Sequence, residues 1–137
     1  MRYLHTMLRV RNLDAALDFY CKGLGLTEVR RRVDEKNKFT LVFLAAPADD
    51  GLVANGPPTR QAPLVELTYN WDTSHYTRGD GYGHMAYSVD SIDILRKRLQ
   101  ANGYDLSWGP GLTPSGKMKM AFVDDPDGYE IELLEGH

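Results

Sequence analysis

The 137 residues, 42% of them hydrophobic and 26% charged, have the composition of a folded globular protein, with room for one domain or two small repeats. The net charge of −3 excludes a general electrostatic attraction to nucleic acid, and no apolar run reaches the ~18 residues of a membrane-spanning helix. The lone Cys21 excludes an internal disulfide and predicts a reducing, cytoplasmic compartment.

The first half of the chain predicts a strand, a helix and three further strands. The first strand covers His5–Val10, and the alternation of strand side chains places His5 on the face opposite to an apolar set. A helix begins after Asn12, whose side chain can accept from an amide of the first turn, and ends at Gly23 or Gly25. The apolar positions of this helix are Leu13, Leu17, Tyr20 and Leu24. The three strands that follow are Glu28–Val33, Phe39–Ala46 and Leu64–Asn70.

The second half repeats this order of elements. When His84 is aligned with His5, His84–Val89 lies over the first strand, and Ser91 falls on Asn12 and predicts a second helix start. The helix ends near Gly103, and Asp125–Gly128 is typical of a type I turn between the last two strands. The apolar positions of this helix are Ile92, Leu95 and Leu99. The three strands that follow are Asp105–Trp108, Met118–Val123 and Tyr129–Leu134.

Both halves therefore predict a βαβββ module, which makes the fold class α+β. The modules end alike, in Val65-Glu66-Leu67 and Ile131-Glu132-Leu133. The sequence separation between these two ends is smaller than the separation between His5 and His84. The first half is therefore the longer one. A surface loop over Pro47–Pro63, rich in Pro, Gly, Asp and Asn, accounts for its additional length.

The repeat places one histidine on each first strand and one glutamate on each last strand: His5, His84, Glu66 and Glu132. Taken singly, such a histidine is more often structural, and such a glutamate is usually the solvated side of a strand. Two imidazoles and two carboxylates at equivalent positions, however, form a nitrogen and oxygen set that neutralises a divalent ion. Glu66 shares its face with Thr68 and Asn70, and because a buried unpaired charge is costly, this face is predicted to line a wet cleft.

Five motifs of the chain together resemble the glyoxalase I (lactoylglutathione lyase) family, from the vicinal-oxygen-chelate superfamily of paired βαβββ modules. They occur in order along nearly the whole chain, and they are Leu4–Val10, Asp18–Tyr20, Glu66–Trp71, Gly81–His84 and Asp125–Leu133. The resemblance implies one domain over residues 1–137, with repeats about 1–75 and 80–135. It also implies curved mixed sheets with the helices on their outer face.

By this resemblance His5, Glu66, His84 and Glu132 would be the metal ligands, with waters completing the coordination. His5 stands where the animal enzymes carry glutamine, so the likeness is to the bacterial form, which favours nickel or cobalt and also accommodates zinc or manganese. The family is homodimeric, and its site lies at the subunit interface. His5 and Glu66 would come from one subunit, and His84 and Glu132 from the other.

The implied reaction is the isomerisation of the methylglyoxal–glutathione hemithioacetal to S-D-lactoylglutathione, by proton transfer through an enediolate. It detoxifies methylglyoxal with glutathione as co-substrate. Glu132 is predicted to be the catalytic base. Arg9, Asn70 and His84 are the predicted substrate-binding residues, since Arg9 shares a face with His5 and Asn70 shares one with Glu66.

Some features depart from the family, and rival functions stay open. Asp80 stands where some relatives have arginine, so Arg78 and Lys117 are alternative contacts for glutathione, and Arg30–Arg32 is interpreted as a solvated strand edge. The same fold also serves extradiol dioxygenases, which hold Fe(II) with two histidines and one carboxylate. It serves equally for an epimerase of coenzyme A thioesters and for a metal-free drug-sequestering dimer, in which the four ligands would be unnecessary.

Overall fold

The computed structural model describes residues 1–49 and 62–137. Most of the predicted loop over Pro47–Pro63 falls outside the described residues. The chain forms two compact units: the first contains residues 1–17 and 25–77, and the second contains residues 18–24 and 78–137. None of the helices in the described residues combines the length and the hydrophobicity that a membrane crossing would need.

The first unit is built on a four-stranded mixed sheet. Its strands are β1 (His5–Arg9), β2 (Thr27–Asp34), β3 (Phe39–Ala45) and β4 (Leu64–Asn70), in the order β1-β4-β3-β2. β1 runs parallel to β4, and the other neighbours are antiparallel. Helix α1 (Leu13–Leu17) begins after Asn12, whose Oδ1 accepts from the Ala15 amide at 3.0 Å. This confirms the predicted helix start.

The second unit repeats the topology. β5 (Met85–Val89), β6 (Trp108–Leu112), β7 (Lys119–Asp124) and β8 (Glu130–Glu135) form a sheet in the order β5-β8-β7-β6, with β5 parallel to β8. Helix α2 (Ile92–Ala101) begins at Ser91, whose side chain accepts from the Ile94 amide at 3.3 Å. The prediction of two βαβββ modules, and with it the α+β class, is confirmed.

The first predicted helix changes geometry halfway along. After α1 the chain continues as a π-helical segment, Asp18–Gly23, in which the Leu24 amide donates to the Phe19 carbonyl at 2.9 Å. The wider turn shifts the buried face. Ala16, Phe19 and Tyr20 are fully buried, whereas Leu13 and Leu17, which the helical period also predicts on that face, are only half-buried.

The second strand of the second module lies later than predicted. The sequence indicates Asp105–Trp108, but the structure has β6 over Trp108–Leu112, which contains Gly-Pro-Gly. Proline disfavours a strand interior because it lacks an amide donor, yet β6 is an edge strand and its register shifts between Trp108 and Gly111. The ends of the other strands agree with prediction to within a single residue.

Asp125 organises the predicted turn between β7 and β8. Its Oδ1 accepts from the amides of Asp127 at 2.8 Å and Tyr129 at 2.9 Å, and its Oδ2 accepts from the Tyr20 hydroxyl at 2.7 Å. The residue is 4% exposed, and burial raises the pKa of its carboxyl group above the ordinary value of 3.8. One buried carboxylate therefore ties the π-helical segment to the turn.

We expect Asp125→Ala to lower the free energy of unfolding by about 2–4 kcal/mol, because two buried donors and one partly buried donor lose their acceptor. The measurement is urea unfolding, with Asp124→Ala as the control, since Asp124 is an exposed neighbour. A carboxyl group whose pKa is higher in the folded than in the unfolded protein stabilises the fold most at low pH. That stabilisation is lost as the pH rises through the folded-state pKa. The difference in the free energy of unfolding between the wild type and Asp125→Ala should therefore widen as the pH is lowered. A loss of stability no larger than that of Asp124→Ala would contradict the role of Asp125 in holding the turn.

Candidate metal centre

The first unit brings His5 and Glu66 together. Glu66 on β4 is paired with Met7 on β1, so His5, two residues earlier on β1, points from the same face. His5 Nε2 lies 2.7 Å from Glu66 Oε2. Glu66 and Thr68 are 8% and 9% exposed, and Thr68 Oγ1 donates to Glu66 Oε1 at 3.5 Å. These two side chains are therefore buried rather than solvated, which corrects the wet cleft predicted for this face.

The second unit brings His84 and Glu132 together in the same way. Glu132 on β8 is paired with Ala86 on β5, and His84 precedes the first residue of β5. His84 Nε2 lies 3.4 Å from Glu132 Oε2. The pair is more open than its counterpart, since the His84 side chain is 42% exposed and the His5 side chain 32% exposed. The repeat seen in the sequence is therefore a repeat of a His–Glu pair.

Each histidine also packs against a phenylalanine, which the sequence interpretation missed. The ring of Phe43 lies 5.4 Å from that of His5 at 80°, and the ring of Phe122 lies 5.6 Å from that of His84 at 70°. Phe43 is paired with Glu66, and Phe122 with Glu132, on neighbouring strands. The signal was available, because the alignment that lays His84 over His5 also lays Phe122 over Phe43.

The first imidazole is held by ring packing and by a contact at only one of its two nitrogens. His5 Nδ1 is buried and has no hydrogen-bond partner in the described part of the chain. The His5 ring is therefore oriented by the edge of Phe43 on one side and by Glu66 at Nε2. This arrangement places His5 Nε2 directly beside the Glu66 carboxylate.

The donor atoms of both pairs fit a divalent cation. Imidazole nitrogen with carboxylate oxygen is a ligand set that suits first-row divalent metals. Two ligands at right angles, each about 2.1 Å from an ion, stand about 3 Å apart. The two N···O distances, 2.7 and 3.4 Å, lie on either side of that value. Within residues 1–49 and 62–137, no three or more His, Cys, Asp or Glu side chains are grouped closely enough to hold one ion.

The predicted substrate-binding residues occupy the ends of the first-unit strands. Arg9 is the exposed last residue of β1, on the same face as His5. Asn70 is the last residue of β4 and donates from Nδ2 to the Tyr76 hydroxyl at 3.0 Å. Trp71, which follows it, donates from Nε1 to Thr40 Oγ1 at 3.0 Å and so ties the end of β4 to β3.

Arg78 has a structural role in the second unit. Its guanidinium donates to the Gly128 carbonyl and lies 5.8 Å from the centre of the Tyr129 ring. Gly128 has a φ of +81°, and a Cβ there would meet the Arg78 guanidinium at 3.1 Å. Arg78 thus secures the turn before β8, whereas Lys117, the other alternative contact for glutathione, is exposed.

Comparison with protein families and curated sequences gives one consistent result. Residues 2–133 match the model of the Glyoxalase/Bleomycin resistance protein/Dioxygenase superfamily. The chain is 42% identical to a lactoylglutathione lyase of Escherichia coli O157:H7, over 98% of this chain and 93% of that protein. It is 38% identical to a probable lactoylglutathione lyase of Vibrio cholerae, over 98% of this chain and 90% of that protein.

Solved structures agree in fold. A glyoxalase I from Zea mays superposes with a TM-score of 0.85 at 32% identity; the match covers 98% of this chain but only 44% of the maize chain, so this chain spans less than half of it. The trypanothione-dependent glyoxalase I of Leishmania major superposes with a TM-score of 0.76 at 36% identity, over 98% of this chain and 86% of that one.

Proposed function

The chain belongs to the Glyoxalase/Bleomycin resistance protein/Dioxygenase superfamily, and on that basis we propose that it is a lactoylglutathione lyase. The observation that carries the proposal is the pair of equivalent His–Glu contacts, one in each unit. The likeness to the Escherichia coli lyase over nearly the whole chain supports the same reaction. The substrate is then the hemithioacetal that methylglyoxal forms with glutathione.

The reaction moves protons and changes no net oxidation state. The carbon that bears sulfur and hydroxyl loses a proton, an enediolate forms, and the neighbouring carbon receives a proton. The product is the thioester S-D-lactoylglutathione. Such a step needs a base close to the carbon acid and stabilisation of the negative charge that develops on the two oxygens.

Four residues of this chain would hold the ion: His5, Glu66, His84 and Glu132. A divalent cation bound there supplies Lewis-acid stabilisation of the developing oxyanion charge. The donor set suits nickel, cobalt, zinc or manganese, and the likeness to the bacterial form favours nickel or cobalt among them. We propose that the ligand set is completed in a homodimer, with the first-unit pair from one subunit and the second-unit pair from the other.

Glu132 is the proposed base that takes the proton and returns it. Its side chain is 17% exposed, which keeps it accessible to a substrate, whereas the Glu66 side chain is 11% exposed. Arg9, Asn70 and His84 are the proposed contacts for substrate. We also propose that residues 1–137 act as one glyoxalase domain in the cytoplasm, a location that the lone Cys21 favours.

The test is turnover before and after metal removal. We expect the purified protein to convert the preformed hemithioacetal to the thioester, followed by ultraviolet absorbance. Dialysis against a chelator should lower the rate by about a hundred-fold or more, since a Lewis acid contributes several kcal/mol. Nickel or cobalt should restore it more fully than zinc.

The rival functions give different results in the same experiment. Oxygen consumption with a catechol would indicate a dioxygenase, and epimerisation of a coenzyme A thioester would indicate that enzyme class. Tight binding of a drug by metal-free protein, without thioester formation, would indicate sequestration. Any of these in place of turnover would contradict the proposal.

A further inference from the structure

The strand pairing of the first unit places an arginine in line with the candidate metal ligands. Arg30 on β2 is paired with Phe43 on β3, and Phe43 is paired with Glu66 on β4. Directly paired residues point to the same face of a sheet. Arg30 therefore shares a face with Glu66 and His5, although the sequence indicates only a solvated strand edge for it.

Side-chain contacts connect Arg30 to the His–Glu pair through a single ring. The Arg30 guanidinium carbon lies 4.2 Å from the centre of the Phe43 ring. The same ring lies 5.4 Å from the His5 ring, and His5 Nε2 lies 2.7 Å from Glu66. A cation over the face of an aromatic ring is attracted by the ring electrons, so Phe43 holds the guanidinium beside the site.

The two neighbouring arginines are each paired with a carboxylate of the same strand. Arg31, on the opposite face, donates to both carboxylate oxygens of Glu28, at 2.7 and 2.9 Å. Arg32 lies 3.4 Å from the Asp34 carboxylate. In the described part of the chain, Arg30 pairs with no carboxylate, and its exposed guanidinium keeps its planar fork of donors available.

We infer that Arg30 binds a carboxylate of the thiol part of the substrate and so determines which thiol is accepted. The inference rests on the proposed function, whose tripeptide thiol carries two carboxylates, one on each side of the reacting sulfur. Guanidinium and carboxylate match as a two-point, charge-assisted contact. Arg30 touches neither the candidate ligands nor the reacting carbon, so its contribution is to substrate binding.

The test combines two variants with three thiols. Arg30→Gln removes the charge, and Arg31→Gln makes the same change on the opposite face of the same strand as a matched control. Methylglyoxal adducts are prepared with glutathione, with its glycine ethyl ester, and with an analogue that has γ-aminobutyrate in place of the γ-glutamyl group. The readouts are KM and kcat at equal adduct concentrations, with thermal unfolding to verify folding.

We expect Arg30→Gln to raise KM for the glutathione adduct by about 10- to 100-fold, with kcat little changed, and Arg31→Gln to have no effect. In the wild type, one of the two modified thiols should show a similar loss, and with that thiol Arg30→Gln should cause no further loss. The wild-type series also measures the carboxylate contact without depending on the folding of any variant.

The inference would be overturned if Arg30→Gln raised KM equally for all three thiols, or by no more than Arg31→Gln does. It would also be overturned if the wild type had the same KM for the modified thiols as for glutathione. These results leave the proposed function intact, because the unmodified adduct is still converted. A wild type that converts no adduct would refute the proposed function, and this inference with it.

Discussion

Glu132→Gln should lower kcat by about a hundred- to ten-thousand-fold, which is the contribution expected of a positioned general base. The amide has the shape of the carboxylate but cannot accept the proton of the carbon acid. Glu132 is well placed for the role: it stands beside His84 at 3.4 Å, opposite Phe122, and its side chain is not fully enclosed. The measurement is steady-state turnover together with exchange of the substrate proton for solvent deuterium.

Metal loss must be separated from loss of the base. Elemental analysis of each variant shows whether the ion is retained. Glu35→Gln is the control variant, because it makes the same charge change at an exposed position between β2 and β3. Glu66→Gln should retain more proton exchange than Glu132→Gln at equal metal content. The reverse order would assign the base to Glu66, and near-normal turnover by metal-loaded Glu132→Gln would refute its role.

His5→Ala and His84→Ala should each reduce turnover by about a hundred-fold or more, but a heterodimer of the two should regain about half of the wild-type activity. If the proposed sites use one His–Glu pair from each subunit, the heterodimer contains one site with both substitutions and one site with neither. The two chains are co-expressed with different tags, and the doubly tagged dimer is purified and assayed.

A heterodimer of His5→Ala with Glu66→Ala is the matched control. Both substitutions then affect first-unit ligands, so each of the two sites lacks one ligand and no activity should return. Sites assembled within single subunits would predict no recovery in either heterodimer. Failure of the His5→Ala and His84→Ala pair to recover would therefore disprove the shared site.

The parts of the fold that short-range patterns specify were predicted well. Asn12 and Ser91 begin their helices by accepting a nearby amide, a signal contained within a few consecutive positions of the sequence. Asp125 fixes its turn through amides that follow it closely in the chain. β6 is the exception: Gly109 and Pro110 disfavour a strand interior, and its edge position, which no local pattern encodes, accommodates them.

The candidate site was predicted only in part, because its remaining features depend on pairing between strands. The internal repeat identified His5 and His84, and each does stand beside a glutamate. Strand alternation places Glu66 on a polar face but does not reveal that it is buried in the sheet in which β4 pairs with β3. The position of Arg30 over Phe43 likewise depends on the register between β2 and β3, and no local pattern encodes that register.

Each His–Phe–Glu group is complete within its own unit, which makes the two groups structurally independent. His5 contacts both Phe43 and Glu66 within the first unit. His84 contacts both Phe122 and Glu132 within the second. A change to one group should therefore leave the ring packing and the donor pair of the other in place, so that the two halves of the proposed metal site can be lost one at a time.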